Sequence, residues 1–478
     1  VSDTQTTGSS FFTSVGALTA SRAVLVISQL VILPVIARFL SAEDFGTFAL
    51  AMSVVIFSQV LSDAGLGRSL IRQPVMDDLE WTSVFWIICG VGVGLMAFLL
   101  LTAPFWARAF GLPDLRPLVA ALSVIPFMSA MAAIPNARLE RDHRFPTLAV
   151  IRMAAALLGL GVAVVMAVRG MGAWALVGQQ VVIASVQLVG GVRYSAFRPQ
   201  WAFAGEGIGG HMRFARDTIG ASLLITAQRQ LPLVLIGQIL GAVPLGLFEM
   251  TRRLLNFPDR GFTGPASQVV YVRMAKALSD PEEVAAIYIA TLRLFALVLV
   301  PPMAVLAATG DVIFPFALSE RWAPVAQIFL LAALGYTLEA IVSSNATTLQ
   351  VAGRTELRLR MQAEQSVLMV LTVAAAAPFG IEAVAAAISL FSLLFVPRAW
   401  AYVHRAVPFD RRVAVMAIGL TALASALGAL AFRWLAGWLG FGPWAYAAGL
   451  FAATGLLWLL CAALQWPTLR HDFHLLKR

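Results

Sequence analysis

Charge is what this 478-residue sequence has least of: 12% of its residues are Asp, Glu, Lys or Arg, about half the share of a typical soluble domain. That shortage excludes a water-facing surface for most of the chain. Lysine is almost missing, with only Lys276 and Lys477, and neither follows a glycine. A G-x-x-x-x-G-K-[ST] phosphate loop is therefore absent, so any vectorial work must draw on a gradient, the membrane potential or a partner. Cysteine is as scarce. Cys89 and Cys461 both lie in apolar runs, which excludes a disulfide framework and a cysteine-based zinc site. The His471/His474 pair has ligand-like spacing but reads better as a solvated tail. No cofactor and no metal are expected. The first residues carry no basic n-region and no A-x-A site, so no cleavable signal peptide is expected.

What is present is apolar. Hydrophobic residues make up 60% of the chain and the mean hydropathy is +0.83. This is the composition of an all-α polytopic membrane protein. Crossing the hydrocarbon core takes about 20 apolar residues, and about fourteen segments meet that criterion. Six lie in residues 1–205, from Phe12–Phe39 to Ala173–Tyr194. Six lie in residues 206–408, from Phe214–Leu240 to Ile381–Val403. A last pair, Val413–Leu435 and Pro443–Ala463, precedes the tail in residues 409–478. The one long polar connection, Arg273 to Glu283, is expected to hold a short amphipathic helix.

The first two of these blocks echo each other. At a spacing of 200 residues Leu40 meets Leu240, Ala42 meets Ala242, Gly46 meets Gly246, Phe48 meets Phe248 and Phe57 meets Phe257. At a spacing of 210, Gly170, Ala173 and Ala175 meet Gly380, Ala383 and Ala385. A weak repeat in a membrane chain marks two lobes with a binding site between them. Six plus six plus two spans follow, with both termini on one side.

Arginine assigns that side. With a cytoplasmic N-terminus, the cytoplasmic loops and tail collect about 21 basic residues and the opposite loops about 6, as the positive-inside rule requires. The net charge of +9 then reflects loops facing anionic lipid rather than nucleic acid.

Chemistry should lie in polar groups at membrane depth, which are costly there and face cavities. Arg22, Arg229, Arg252, Arg253 and Arg293 qualify, with Gln29, Gln228 and Gln230 as neutral hydrogen-bonding groups. Arg152 and Arg216 lie close enough to a span end to snorkel. Acids are fewer: Asp217, Glu249 and Glu339 are candidates for ion coupling. Glu249 stands at i−3 and i−4 from Arg252 and Arg253, so an intrahelical pair is expected to neutralise one arginine and leave the other free. A cationic excess suits an anionic ligand, because the guanidinium fork donates two parallel hydrogen bonds to phosphate.

The run RFLSAEDFGTFALAMSVVIFSQVLSDAGLGRSLIRQ carries Phe45, Gly46 and Phe48 at the opening of the second span and Asp63, Gly65, Leu66 and Gly67 near its end. It resembles the first two helices of Wzx-type polysaccharide flippases, of the multidrug/oligosaccharidyl-lipid/polysaccharide superfamily. NFPDRGFTGPASQVVYVRMAKALSD resembles the inner end of that family's eighth helix. The resemblance implies a V-shaped bundle of two lobes with alternating access, in the bacterial inner membrane. It implies translocation of an undecaprenyl-pyrophosphate-linked oligosaccharide to the periplasmic leaflet for polysaccharide biosynthesis. Arginines of the first and eighth helices, here Arg22 and Arg252, would hold the pyrophosphate.

Such a protein is a transporter and not an enzyme, a monomer by default, with a polysaccharide polymerase or glycosyltransferase as possible pathway partners. A drug/cation antiporter of the same superfamily is the first alternative, but it would be expected to carry a carboxylate within its first helices, and the first helix here has Arg22 and no acid. A membrane polymerase or glycosyltransferase is the second, but it would need a large outer loop with acidic residues.

Overall fold

The computed structural model describes residues 33–63, 65–72, 77–203, 208–257 and 259–477. Helices form every regular element among the described residues. In order they are α1 (residues 33–39), α2 (Ala42–Asp63), α3 (Leu66–Ile71), α4 (Asp78–Ala109), α5 (Leu115–Leu122), α6 (Val124–Arg141), α7 (Phe145–Val168), α8 (Trp174–Tyr194) and α9 (Ile208–Leu240). There follow α10 (Ala242–Leu255), α11 (Gly264–Lys276), α12 (Pro281–Ala317), α13 (Val325–Val342), α14 (Ser344–Val351), α15 (Thr355–Ala376), α16 (Ile381–His404), α17 (Arg411–Trp438), α18 (Pro443–Leu464) and α19 (Trp466–Lys477).

Eleven stretches among the described residues are long and apolar enough to cross a membrane, with α2–α3, α5–α6 and α13–α14 each counting as one. The other three expected spans have specific explanations. The first lies almost wholly outside the described residues. The eighth is divided into α10 and α11 by a π-helical turn at Asp259–Thr263. The eleventh is α15, a continuous 22-residue helix whose opening TELRLRMQAEQ is polar. Fourteen spans are compatible with this arrangement.

The chain forms two compact units that divide between Gly246 and Leu247. In the first, α4 packs on α6 around a core of Trp81, Phe85, Ile134 and Phe197, and α7 packs on α8. Local chemistry sets the helix starts. Asp77 accepts a hydrogen bond from the Leu79 amide at 2.8 Å and caps α4, satisfying one donor that the first helical turn leaves over. Ser41 and Asp44 cap α2 reciprocally: the Ser41 amide donates to Asp44 Oδ2 at 2.9 Å and the Asp44 amide donates to Ser41 Oγ at 3.1 Å. The second Asp44 oxygen accepts from the Ala173 amide at 3.0 Å, so one carboxylate fastens the starts of α2 and α8 together.

The repeat has a direct structural expression within this unit. The openings of α2 and α10 cross at Gly46 and Gly246. A Cβ on Gly46 would stand 1.8 Å from the Ala242 carbonyl oxygen, and one on Gly246 would stand 1.7 Å from that of Ala42. The contact is reciprocal and made of backbone, so no side-chain rotation could relieve a methyl group there. About one and two turns further on, α2 lies along α9: Leu50 fills the space over Gly237, and Ser53 Oγ donates to Gln230 Oε1 at 3.0 Å.

The second unit is assembled on α12, against which α13, α17, α18 and α19 all pack. Its largest core holds Tyr288, Phe295, Met274 and Trp400. The Tyr288 hydroxyl donates to Asn345 Oδ1 at 2.6 Å in this core, so the Asn345-Ala-Thr sequence is a packing element. Pro232 lies inside α9, and Pro301 and Pro302 lie inside α12, without ending either helix. A membrane helix tolerates the freed carbonyls when neighbours or local geometry satisfy them.

One expectation changes. No separate helix occupies the Arg273–Glu283 connection. Instead α11 runs to Lys276 and α12 starts at Pro281, capped by Asp280, which accepts from the Glu282 and Glu283 amides at 3.0 and 3.2 Å. An Arg273–Glu283 ion pair closes the turn, and two capped helices with a charge pair outcompete a marginal third one. In the tail α19 packs on α12 and α18, burying Leu469 and Asp472, while the side chains of His471 and His474 lie outside the described residues.

Candidate functional site

Among the described residues, α10 carries a close cluster of charge. Its apolar run LGLF leads to Glu249, about 10 Å along the helix at 1.5 Å per residue, and to Arg252 and Arg253 at about 15 Å. Arg252 donates to Glu249 Oε2 through Nε and approaches it through Nη2, both at 2.7 Å. Arg253 Nε reaches the other oxygen, Oε1, at 3.3 Å. Glu249 is buried at 6% exposure, whereas the Arg252 and Arg253 side chains keep 24% and 30% of theirs.

The expected division, one arginine neutralised and one free, is thus replaced by sharing. Side chains at i+3 and i+4 flank the same point on a helix surface, and a carboxylate has an oxygen for each. The trio keeps a net charge of +1. Both arginines also stand in the last turn of α10, where unpaired carbonyls favour cations.

Within the second unit, Tyr336 of α13 stands near this trio, with Glu339 beside Tyr336. Tyr336 lies within electrostatic reach of Arg252, Glu249 and Glu339. Ser392 of α16 donates to Glu339 Oε1 at 3.4 Å. Glu339 was a candidate from the sequence. Tyr336 was not, although its i−3 position relative to Glu339 places both on one face of α13.

The remaining candidates disperse. Gln228, Arg229 and Gln230 are consecutive on α9, so their directions differ by about 100° per residue. Gln230 is buried and accepts from Ser53. Arg229 is exposed, and Gln228 is half-buried with partners of its own. Arg293 is buried in an ion pair with Asp472 of α19, the two side chains retaining 9% and 11% exposure. It holds the tail helix to α12. The side chain of Asp217, and the whole of Arg22 and Gln29, lie outside the described residues.

The arrangement leaves two cations partly open with their acid buried behind them. Residues 35–327 match the family described as polysaccharide biosynthesis protein. The chain belongs to that family. Among curated members of its kin, the succinoglycan biosynthesis transport protein ExoT of Rhizobium meliloti is 26% identical over 295 residues, 62% of this chain and 60% of that protein. The lipopolysaccharide biosynthesis protein WzxC of Escherichia coli is 22% identical, covering 71% of this chain and 70% of that protein. For the teichuronic acid biosynthesis protein TuaB of Bacillus subtilis the values are 22%, 63% and 63%. The chain therefore matches less than two thirds of the length of two of these three relatives.

Solved structures extend the likeness of fold to nearly the whole family member. The lipid II flippase MurJ, in its inward closed conformation, gives a TM-score of 0.75 at 13% identity, over 96% of this chain and 99% of that one. An inward-facing multidrug resistance MATE family transporter of the MOP superfamily gives 0.53 at 15% identity, over 81% and 94%. At such identities the likeness is one of architecture, and this family member shares the fold of those structures.

Proposed function

We propose that the chain is a flippase that moves a lipid-linked oligosaccharide, carried on undecaprenyl pyrophosphate, from the cytoplasmic to the outer leaflet of a bacterial inner membrane. The observation that carries this reading is the α10 trio. Two arginines with one carboxylate between them give a span a standing positive charge, and a pyrophosphate could replace Glu249 as their partner. The names of the relatives support a cargo used in polysaccharide assembly, since one is a transport protein for succinoglycan biosynthesis. Residues 1–205 and 206–408 would be the two lobes, with α17 and α18 as an added pair. Both termini would face the cytoplasm. Polysaccharide-assembling enzymes would stand on either side of the step, and the protein itself would break no covalent bond.

In this mechanism Arg252 and Arg253 take the phosphates by charge-assisted hydrogen bonds, each worth roughly 1.5–3 kcal/mol. Arg229 on α9 would be a third cation open to an anion, with Arg22 as a further candidate. Gln228 and Gln29 would meet sugar hydroxyls. The polyprenyl tail stays in lipid, where each buried CH₂ contributes about 0.8 kcal/mol.

The test is binding of purified protein to an undecaprenyl-pyrophosphate oligosaccharide, beside Arg252→Ala and Arg229→Ala. Arg252→Ala is expected to weaken binding at least tenfold, consistent with the loss of one such bond. Wild-type affinity in both variants would remove the deep arginines from the site. Binding of an organic cation in place of the lipid would favour the antiporter.

A further inference from the structure

A second charged group lies in the other half of the second unit, on the seam of α15 and α16. Glu364 of α15 accepts from Arg398 Nε at 3.0 Å and, through its other oxygen, from the Tyr402 hydroxyl at 2.7 Å. The Arg398 guanidinium stacks over the Tyr402 ring at 5.4 Å, and that of Arg405 lies over the same ring at 5.7 Å. Two arginines and one carboxylate leave this group, too, with a net charge of +1. Glu364 occupies one edge of the Arg398 fork, yet 55% of that side chain stays exposed. The outer edge of the fork is therefore a donor surface for an acceptor outside the protein.

The helix faces below it are apolar and equally exposed. Leu394 and Leu390 stand four and eight residues before Arg398, on the same face of α16, and are 67% and 57% exposed. Val367 and Leu371 stand three and seven residues after Glu364, on the same face of α15, and are exposed as well. The Glu364–Arg398 bridge joins those two faces, so the apolar stripes run side by side from the charged group toward the membrane interior. A headgroup-sized cationic site that continues into a strip of hydrocarbon has the form of an amphiphile.

The repeat does not require it. At the spacing that relates Gly170 to Gly380 (380 − 170 = 210), the first half has Ala154, Leu188, Val192 and Ser195 in place of Glu364, Arg398, Tyr402 and Arg405. The corresponding helix pair, α7 and α8, therefore carries no charge at those four positions.

We infer that the α15–α16 seam binds an anionic phospholipid of the leaflet that the chain's arginine-rich loops face, its phosphate on Arg398 and Arg405 and an acyl chain along Leu390, Leu394, Val367 and Leu371. Charge decides for an anionic lipid over a zwitterionic one. The stripe decides for a lipid over free phosphate. The inference is independent of the cargo.

The experiment uses the full chain, stripped of lipid in a neutral detergent. Binding of phosphatidylglycerol and phosphatidylcholine is measured by native mass spectrometry and by the rise in Tm. Wild type is expected to retain phosphatidylglycerol preferentially, with millimolar inorganic phosphate not competing. Arg398→Gln and Arg405→Gln should each weaken retention about fivefold, the effect of one basic residue at an anionic surface. Arg398→Gln also strips Glu364 of its partner, so Arg405→Gln, which breaks no ion pair, decides if the former does not fold. Equal binding of both lipids by wild type would overturn the assignment. So would an undiminished preference in Arg405→Gln, or displacement by free phosphate.

Discussion

At the scale of single residues, the deciding feature is how few acids serve how many arginines. Glu249 gives one oxygen to each of two neighbours, and its own burial makes it costly unless both stay in place. Replacing it by glutamine leaves two cations at depth with a neutral partner. Glu249→Gln is expected to lower the Tm of the empty protein and to enlarge the rise in Tm on adding pyrophosphate lipid. Thermal unfolding with and without that lipid checks this, and a smaller rise than in wild type would place the phosphates elsewhere. Ser53→Ala is a milder case. It removes the hydrogen bond to Gln230, so a loss of about 1 kcal/mol is expected in a chemical unfolding series.

The trio's members were legible in the sequence because i, i+3 and i+4 spacing is local. The roles of Gln230 and Arg293 were not. Their partners stand 177 and 179 positions away, and no spacing rule reaches that far. Asp472 in particular reads as one polar residue of a short tail until α19 is seen to fold back on α12.

At the scale of elements, α19 is the least predictable piece and the most easily tested. Among the described residues, the buried Arg293–Asp472 ion pair ties it to α12. Removing one partner of such a pair costs about 3–5 kcal/mol, whereas replacing both by apolar residues of similar size is often neutral. Asp472→Asn should therefore destabilise the protein and expose α19 to proteolysis. Arg293→Met with Asp472→Leu should restore much of the loss. Equal damage from the single and the double replacement would mean that the pair does not hold the helix. The longer elements were legible because hydropathy and length define a span without any tertiary information. Where a helix begins polar, as α15 does, or is divided by a π-turn, as between α10 and α11, that signal fades though the helix persists. The repeat was legible at its helix openings, where small residues are held by close backbone approach.

At the scale of the whole molecule, charge and field belong together. A dianionic headgroup carried outward gains about 2.3 kcal/mol per charge per 100 mV from an inside-negative potential. If the cationic site reorients empty, the same field returns it inward. Flipping in proteoliposomes is therefore expected to accelerate when a potassium diffusion potential is imposed in that direction. An unchanged rate would transfer the driving force to ion coupling, with Glu339, Glu249 and Asp217 as the groups to replace. The orientation is testable separately: a reporter fused after Arg478 should be active only on the cytoplasmic side.

The crossing at Gly46 and Gly246 constrains how this chain can vary. Each glycine is held in place by the carbonyl of the other copy's helix opening, so neither half of the repeat is at liberty to accept a methyl group alone. Either alanine replacement should prevent the close approach of the two openings, and the double replacement should do little further harm, because the contact is lost once. In a library randomised at both codons, survivors should keep both glycines or lose both, and rarely hold just one. Two segments that descend as copies would then behave, under selection, as a single position written twice.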